Sequence, residues 1–124
     1  YAQLETIEEK VLLRQEVANI FLEEMKGCDY LVPQLVPDEC THSYFTLGVL
    51  YEGFDKIGVE WQEFRKKYVE FGGDGFYGAW SVPYLEPVIA ERKYVKRAPS
   101  IYKDVHYKPG LCPVAEKIQP KLMQ

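Results

Sequence analysis

Apolar residues recur through residues 2–26 largely at steps of three and four: Leu4, Ile7, Val11, Val17, Ile20, Phe21 and Met25, with no Gly or Pro between them. That spacing predicts one long amphipathic helix. Glu5, Glu8 and Glu9 stand in its early turns, where the helix dipole favours anions, and Gly27 offers a C-terminal stop. A helix of this span is about 37 Å long at about 1.5 Å per residue, more than a domain of this size needs. Helices of that length bridge domains or build interfaces.

Beyond it the pattern changes. Pro33 and Pro37 interrupt regular structure after a short strand expected around residues 30–32. Residues 43–51 give the strongest strand signal: Phe45, Leu47, Val49 and Tyr51 alternate onto one face, Tyr44, Thr46 and Gly48 onto the other. Gly53 and Gly58 bracket a loop, and Trp61, Phe64, Tyr68 and Phe71 then return to helical spacing over residues 59–71, ended by Gly72 and Gly73. A short helix is expected over residues 87–94, irregular chain up to Gly110, and a last helix opened by Pro113 and ended or kinked by Pro120. Helix, strand, helix, strand-loop and helix in that order read as α+β, a small antiparallel sheet packed with helices.

At 124 residues the chain fits one domain, divisible into a linking helix of about residues 2–26 and a small domain of residues 28–124. The net charge of −4 comes from interspersed acids and bases, with only residues 91–97 forming a short basic patch, so no field steers nucleic acid or an anionic membrane. No stretch approaches the roughly 18 apolar residues of a membrane span, and no secretory leader is legible, so the cytoplasm is the expected compartment. Three widely spaced cysteines and two histidines, His42 and His106, match no metal-ligand spacing. Gly72-Gly73-Asp74-Gly75 does not lie between a strand and a helix, so it is no phosphate cradle. The chain opens at Tyr1 inside a helical pattern and stops just after Lys-Leu-Met, from which a fragment of a longer protein is expected.

Residues 72–87, Gly-Gly-Asp-Gly-Phe-Tyr-Gly-Ala-Trp-Ser-Val-Pro-Tyr-Leu-Glu-Pro, concentrate the chemistry. Glycines let the backbone turn or approach a ligand closely, prolines stiffen the exit, and Phe76, Tyr77, Trp80 and Tyr84 suit a surface that is half apolar and half wet. The loop is either a pocket wall or a packed strand and turn whose aromatics fill the core. Asp74 and Glu86 flank it, a pair compatible with glycoside hydrolysis and equally with a hydrogen-bonded loop. No complete catalytic set is present in the residues themselves.

Several segments in order carry a resemblance: Ala2-Gln3-Leu4-Glu5 running into the helix, Thr41-His42-Ser43-Tyr44-Phe45, Gly58-Val59-Glu60-Trp61-Gln62-Glu63-Phe64, the aromatic loop, and Cys112-Pro113-Val114-Ala115-Glu116. Together they resemble the C-terminal part of the DegT/DnrJ/StrS family of pyridoxal-phosphate-dependent sugar aminotransferases, over nearly the whole chain. The resemblance implies the small domain of an aspartate-aminotransferase-type (fold type I) subunit, closing over substrate in a homodimer. The Schiff-base lysine and most pyridoxal-phosphate contacts then belong to an N-terminal domain outside this chain, so this piece alone is not catalytic and binds no cofactor. Many members read Gly-Ile-x-x-x-x-His-Tyr-x-Pro-Leu-His in the loop. Here Ser81 and Val82 replace the His-Tyr pair, Tyr84 the proline and Glu86 the last histidine, while Gly75 and Leu85 are kept. The residues expected nearest the substrate are Tyr77, Trp80, Tyr84 and Glu86, the aromatics as stacking faces for a sugar ring and Glu86 as an acceptor for hydroxyls.

The function so implied is amino transfer from glutamate or glutamine to a keto sugar, often nucleotide-linked. The alternative is a stand-alone carbohydrate- or peptide-binding module using the same loop, and a third reading is a hydrolase using Asp74 and Glu86. A domain fragment is expected to leave one face of the helix over residues 2–26 bare, a free module to cover every apolar face.

Overall fold

In the computed structural model, which describes residues 3–94, 104 and 106–124, the chain is α+β. It divides into two units, Tyr1–Tyr77 with Leu122–Gln124, and Gly78–Lys121.

The first unit opens with α1, Ile7–Glu24. Residues 3–6, expected to be helical, form turns, with the Ile7 N–H on the Leu4 carbonyl at 3.4 Å. Thr6 stands at the N-cap, but its side chain makes no capping hydrogen bond to the first turn. The helix ends as its sequence suggests: Gly27 takes φ +83, a left-handed stop. Val11, Gln15, Ala18, Leu22 and Met25 turn inward at steps of three and four, and Ala18 is buried. Leu12, Leu13, Val17, Ile20 and Phe21 stay exposed, because apolar residues surround this helix and only one stripe has anything to pack on.

Three short antiparallel strands follow in the order β1 (Leu31–Pro33), β2 (Val49–Tyr51), β3 (Leu122–Met123). Leu31 pairs with Tyr51 and Pro33 with Val49; on the other side Val49 pairs with Met123 and Leu50 with Leu122. Val49, Tyr51 and Met123 form the buried centre, with Leu31, Leu47, Trp61, Phe64 and Phe76 packed around it. Burying each such side chain contributes about 1.5–3 kcal/mol. Tyr51 keeps its hydroxyl satisfied by donating to the Val59 carbonyl at 2.9 Å, and burial pushes its phenol above the ordinary tyrosine pKa.

The strand expected over residues 43–51 is regular only from Val49. Upstream, side chains capture the backbone that a longer ladder would use. The Tyr44 N–H donates to His42 Nδ1 at 3.0 Å, with Tyr44 held at φ 44, and the Gly48 N–H donates to Gln34 Oε1 at 2.9 Å. The bracketed loop at Gly53 contains a helix, α2 (Gly53–Ile57), closed by Gly58 at φ +70. A Cβ on Gly53 would lie 2.2 Å from the Tyr51 ring, so only glycine opens this helix. Next comes α3, Trp61–Glu70, within the span its spacing predicts.

The second unit holds a 3-10 turn at Pro83–Leu85, α4 (Pro87–Ala90), α5 (Pro113–Ile118) and a 3-10 turn at Gln119–Lys121. Both α4 and α5 begin on a proline, where the missing N–H costs nothing. Val82 is its buried anchor. The irregular run expected up to Gly110 lies mostly outside the described residues.

Candidate functional site

The aromatic loop is built outward from α3. Gly72 turns at φ +90, and a Cβ on Gly73 would sit 2.2 Å from the Tyr68 ring. The chain therefore passes flat across Tyr68 and delivers Phe76 to a cluster with Trp61, Phe64 and Tyr68, ring centres 5.7 to 6.4 Å apart. Such ring pairs add about 0.5–1.5 kcal/mol each beyond burial. Arg65 fixes the same residue by donating from Nε to the Phe76 carbonyl at 2.6 Å. Tyr77 then pairs with the chain's end: its N–H donates to the Gln124 carbonyl at 2.9 Å, and the Gln124 N–H donates back at 2.8 Å. Of the loop's aromatics, Phe76 is packing.

Between this cluster, the sheet and α1 lies an open groove of about 860 Å³. Its walls are apolar: Val17 and Phe21 from α1, Leu47 and Met123 beside and within the sheet, Phe64 and Phe76 from the aromatic cluster. Arg14, Glu24 and Asp74 supply its charge. The segment at 44–47 forms one rim and is held just upstream by His42, whose carbonyl accepts from Gln15 Nε2 at 2.9 Å. The Tyr44 N–H donates to His42 Nδ1 at 3.0 Å, and Gln34 Nε2 lies 3.2 and 3.1 Å from the two ring nitrogens. Phe45 projects from this rim 81% exposed, with the Arg14 guanidinium 5.5 Å above its ring. The lining contains no histidine, cysteine, serine or lysine. It can take up an apolar surface, and Glu24 and Asp74 are the carboxylates in its lining.

The second unit presents the rest of the loop. Ser81 Oγ donates to Glu86 Oε1, and Glu86 is half-buried. Tyr84 donates its hydroxyl to Glu116 Oε1 and accepts the Cys112 N–H at 2.9 Å. Glu116 also accepts the Gly110 N–H at 2.8 and 2.9 Å, so one carboxylate ties the loop to the start of α5. Desolvation and the hydrogen bond to Glu116 push the Tyr84 phenol up to about 12. The same hydrogen bond, with the Gly110 N–H, holds Glu116 below the ordinary carboxylate range.

The four residues singled out from sequence thus divide. Tyr77 belongs to the first unit; Trp80, Tyr84 and Glu86 belong to the second. Tyr77 is 69% and Trp80 85% exposed, so both offer open ring faces, whereas the Tyr84 hydroxyl is committed on both sides. Asp74 and Glu86, the hydrolase pair, are likewise split between the units. The groove was missed by sequence reasoning, since it depends on which stripe of α1 turns inward.

No family model, curated protein or solved structure matches the chain. Pyridoxal phosphate, the cofactor of the resembled family, does not fit the described residues: no lysine lines the groove. Lys26, Lys56, Lys67 and Lys93 sit in exposed ion pairs with Glu23, Asp29, Glu70 and Glu91. Among the described residues no group of three His, Cys, Asp or Glu side chains converges on a metal position, and no helix is long and apolar enough to cross a membrane.

Proposed function

We propose that this chain is the substrate-capping small domain of a pyridoxal-phosphate-dependent sugar aminotransferase of the DegT/DnrJ/StrS type. The whole enzyme, a cytoplasmic homodimer, transfers an amino group from glutamate or glutamine to a keto sugar, often nucleotide-linked, and its cofactor and Schiff-base lysine lie in an N-terminal domain outside this chain. The observation that carries the reading is the Tyr84–Glu116–Cys112 bond network. Two separate segments of the resemblance, the aromatic loop and Cys112-Pro113-Val114-Ala115-Glu116, are joined through Cys112 and Glu116 of the second and through Tyr84, which stands where many members of the family have a proline. The bare outer stripe of α1 adds support, since it suits a chain that works joined to something else.

In this role the chain supplies surface and hydrogen bonds rather than the reacting amine. Trp80, in the second unit, offers a ring face for the apolar side of a sugar, and the Glu86 carboxylate of the same unit accepts from its hydroxyls, while Tyr77 presents its own exposed ring in the first unit. Tyr84 acts one step back: its hydroxyl holds the turn at 110–112, so its contribution to substrate is its ring and its positioning. Covering the sugar excludes water from the reaction. The test is kinetic, on the full-length polypeptide that contains this chain. Trp80→Ala raises KM for the keto sugar on the order of tenfold, the loss of about 1.4 kcal/mol of binding, and leaves KM for the amino donor unchanged. Equal KM values for wild type and variant refute the role given to Trp80.

One observation favours a second reading. Trp80, at 85% exposure, is the kind of solvent-facing ring by which a stand-alone module binds carbohydrate or peptide. That reading requires the 124-residue chain by itself to bind a sugar in titration calorimetry, and Trp80→Ala to abolish the heat.

A further inference from the structure

The groove lies wholly in the first unit, whereas Trp80 and Glu86 of the sugar site belong to the second. Its floor is apolar: Ala18 and Met25 from the inward stripe of α1, Val49 and Met123 from the sheet, Leu47 beside it and Phe76 across from them. A volume of about 860 Å³ falls among small-molecule sites, which are mostly apolar with a few placed polar groups.

Three side chains in the lining carry charge, and only Arg14 is a cation. Its guanidinium stands 5.5 Å from the centre of the exposed Phe45 ring at the rim, a contact that positions the group without using its N–H donors. Among the described residues Arg14 belongs to no ion pair. Lys10 stands one turn earlier, about 40° from Arg14 around the helix, whereas Glu8, Glu9, Glu16, Glu23 and Glu24 all lie about 80° or more away at about 100° per residue. Glu24 is also about 15 Å further along the axis at about 1.5 Å per residue. Asp74 comes from the loop after α3. One end of the groove therefore attracts an anionic head, and the two carboxylates elsewhere in the lining disfavour a second one.

The rim is fixed in advance: Tyr44 is held at φ 44 with its N–H on His42, and Gln15 holds the His42 carbonyl. On the opposite side the Tyr77 N–H and carbonyl are paired with Gln124. An extended peptide finds no free ladder at these residues, and an aliphatic chain needs none.

We infer that the groove is a binding site for a free aliphatic monocarboxylate, its chain on the apolar floor and its head group in a forked hydrogen bond with Arg14. Burial of the chain supplies the affinity; Arg14 selects the head group. The inference stands on the first unit alone and does not require the enzyme to be an aminotransferase.

Titration calorimetry of the 124-residue chain with octanoate, decanoate and dodecanoate, each below its micellar concentration, tests it. Affinity is expected to rise about fourfold for each added methylene, about 0.8 kcal/mol. The wild type binds decanoate on the order of tenfold more tightly than decylammonium or decanedioate. Arg14→Glu reverses the order of decanoate and decylammonium; the position is exposed, and circular dichroism checks that the helix is kept. The methyl resonances of Leu47 and Met123 shift as decanoate is added, which places the ligand in the groove. Absence of binding overturns the inference, as does an affinity independent of chain length. A wild type that takes decanoate and decylammonium alike, a preference unaltered by Arg14→Glu, or binding that leaves both methyl resonances in place overturns it equally. Each of these failures leaves the cofactor spectrum of the full-length polypeptide untouched, so the two proposals fail separately.

Discussion

Tyr84 donates its hydroxyl to the Glu116 carboxylate across 32 residues of chain and, in the same position, accepts the Cys112 N–H. Local propensity does not bring these residues together; the loop at 81–86 and the start of α5 are held to one another by this bond. Tyr84→Phe removes the donor and leaves the ring. The Gly110 and Cys112 amides lose their fixed partners or the group that orients them, so their hydrogen exchange is expected to accelerate on the order of tenfold or more. The strand amides of Val49 and Leu50, which belong to the other unit, are expected to exchange as in the wild type.

The same pair makes the second unit sensitive to pH at both ends. Glu116 ionises in the folded chain below its ordinary 4.5, so the stability it contributes is present above that value and is lost as pH falls through the depressed one. Tyr84 moves the opposite way, from 10.0 to about 12, so its contribution is complete below 10.0 and is lost as pH rises toward 12. Exchange of the Gly110 amide, referred to a free peptide at each pH, is expected to show protection falling at both extremes. In Tyr84→Phe the alkaline loss disappears; an unchanged alkaline limb counts against the assignment.

Two glycines are irreplaceable for a reason of space. A Cβ on Gly53 or on Gly73 would stand 2.2 Å from the ring of Tyr51 or of Tyr68. Gly53→Ala and Gly73→Ala are each expected to lower stability by about 1–3 kcal/mol, the cost of forcing an extra group into packed surroundings. Urea melts followed by tryptophan fluorescence, with Trp61 beside the Phe76 cluster, measure it.

Part of this architecture was legible before any coordinates. α3 announced itself through Trp61, Phe64 and Tyr68, and β1 through a short apolar run before Pro33. The remainder depends on relationships that local pattern does not carry. α1 carries apolar residues on every side, interleaved with charged ones, so its spacing says helix without saying that Val11 and Met25 turn inward while Val17 and Ile20 do not. Alternation extends the second strand to residue 43, but His42 and Gln34 take the N–H groups of Tyr44 and Gly48 and stop it. β3, at two residues, is too short to show a period. Within the candidate site, aromatics among glycines left packing and exposure equally open, and the loop does both: Phe76 packs against the core while Trp80 is exposed. The use of Tyr84's hydroxyl was not, because Glu116 is far away in the chain.

Glu86 and Trp80 separate a substrate role from a structural one. If Glu86 accepts sugar hydroxyls, Glu86→Gln keeps an acceptor oxygen and the hydrogen bond from Ser81 but removes the charge. It is expected to raise KM for the keto sugar several-fold, about 1 kcal/mol for a weakened charge-assisted bond, with kcat for the half-reaction with the amino donor unchanged. A purely structural Glu86 predicts instead a lower melting temperature with both KM values intact.

The most direct measurement is the visible absorption spectrum of the full-length polypeptide containing this chain, purified with pyridoxal phosphate and then treated with glutamate or glutamine. The proposed function predicts a protein-bound cofactor band that shifts when the amino donor is added and returns when a keto sugar follows. A polypeptide that binds no cofactor, or whose band ignores both additions, contradicts it.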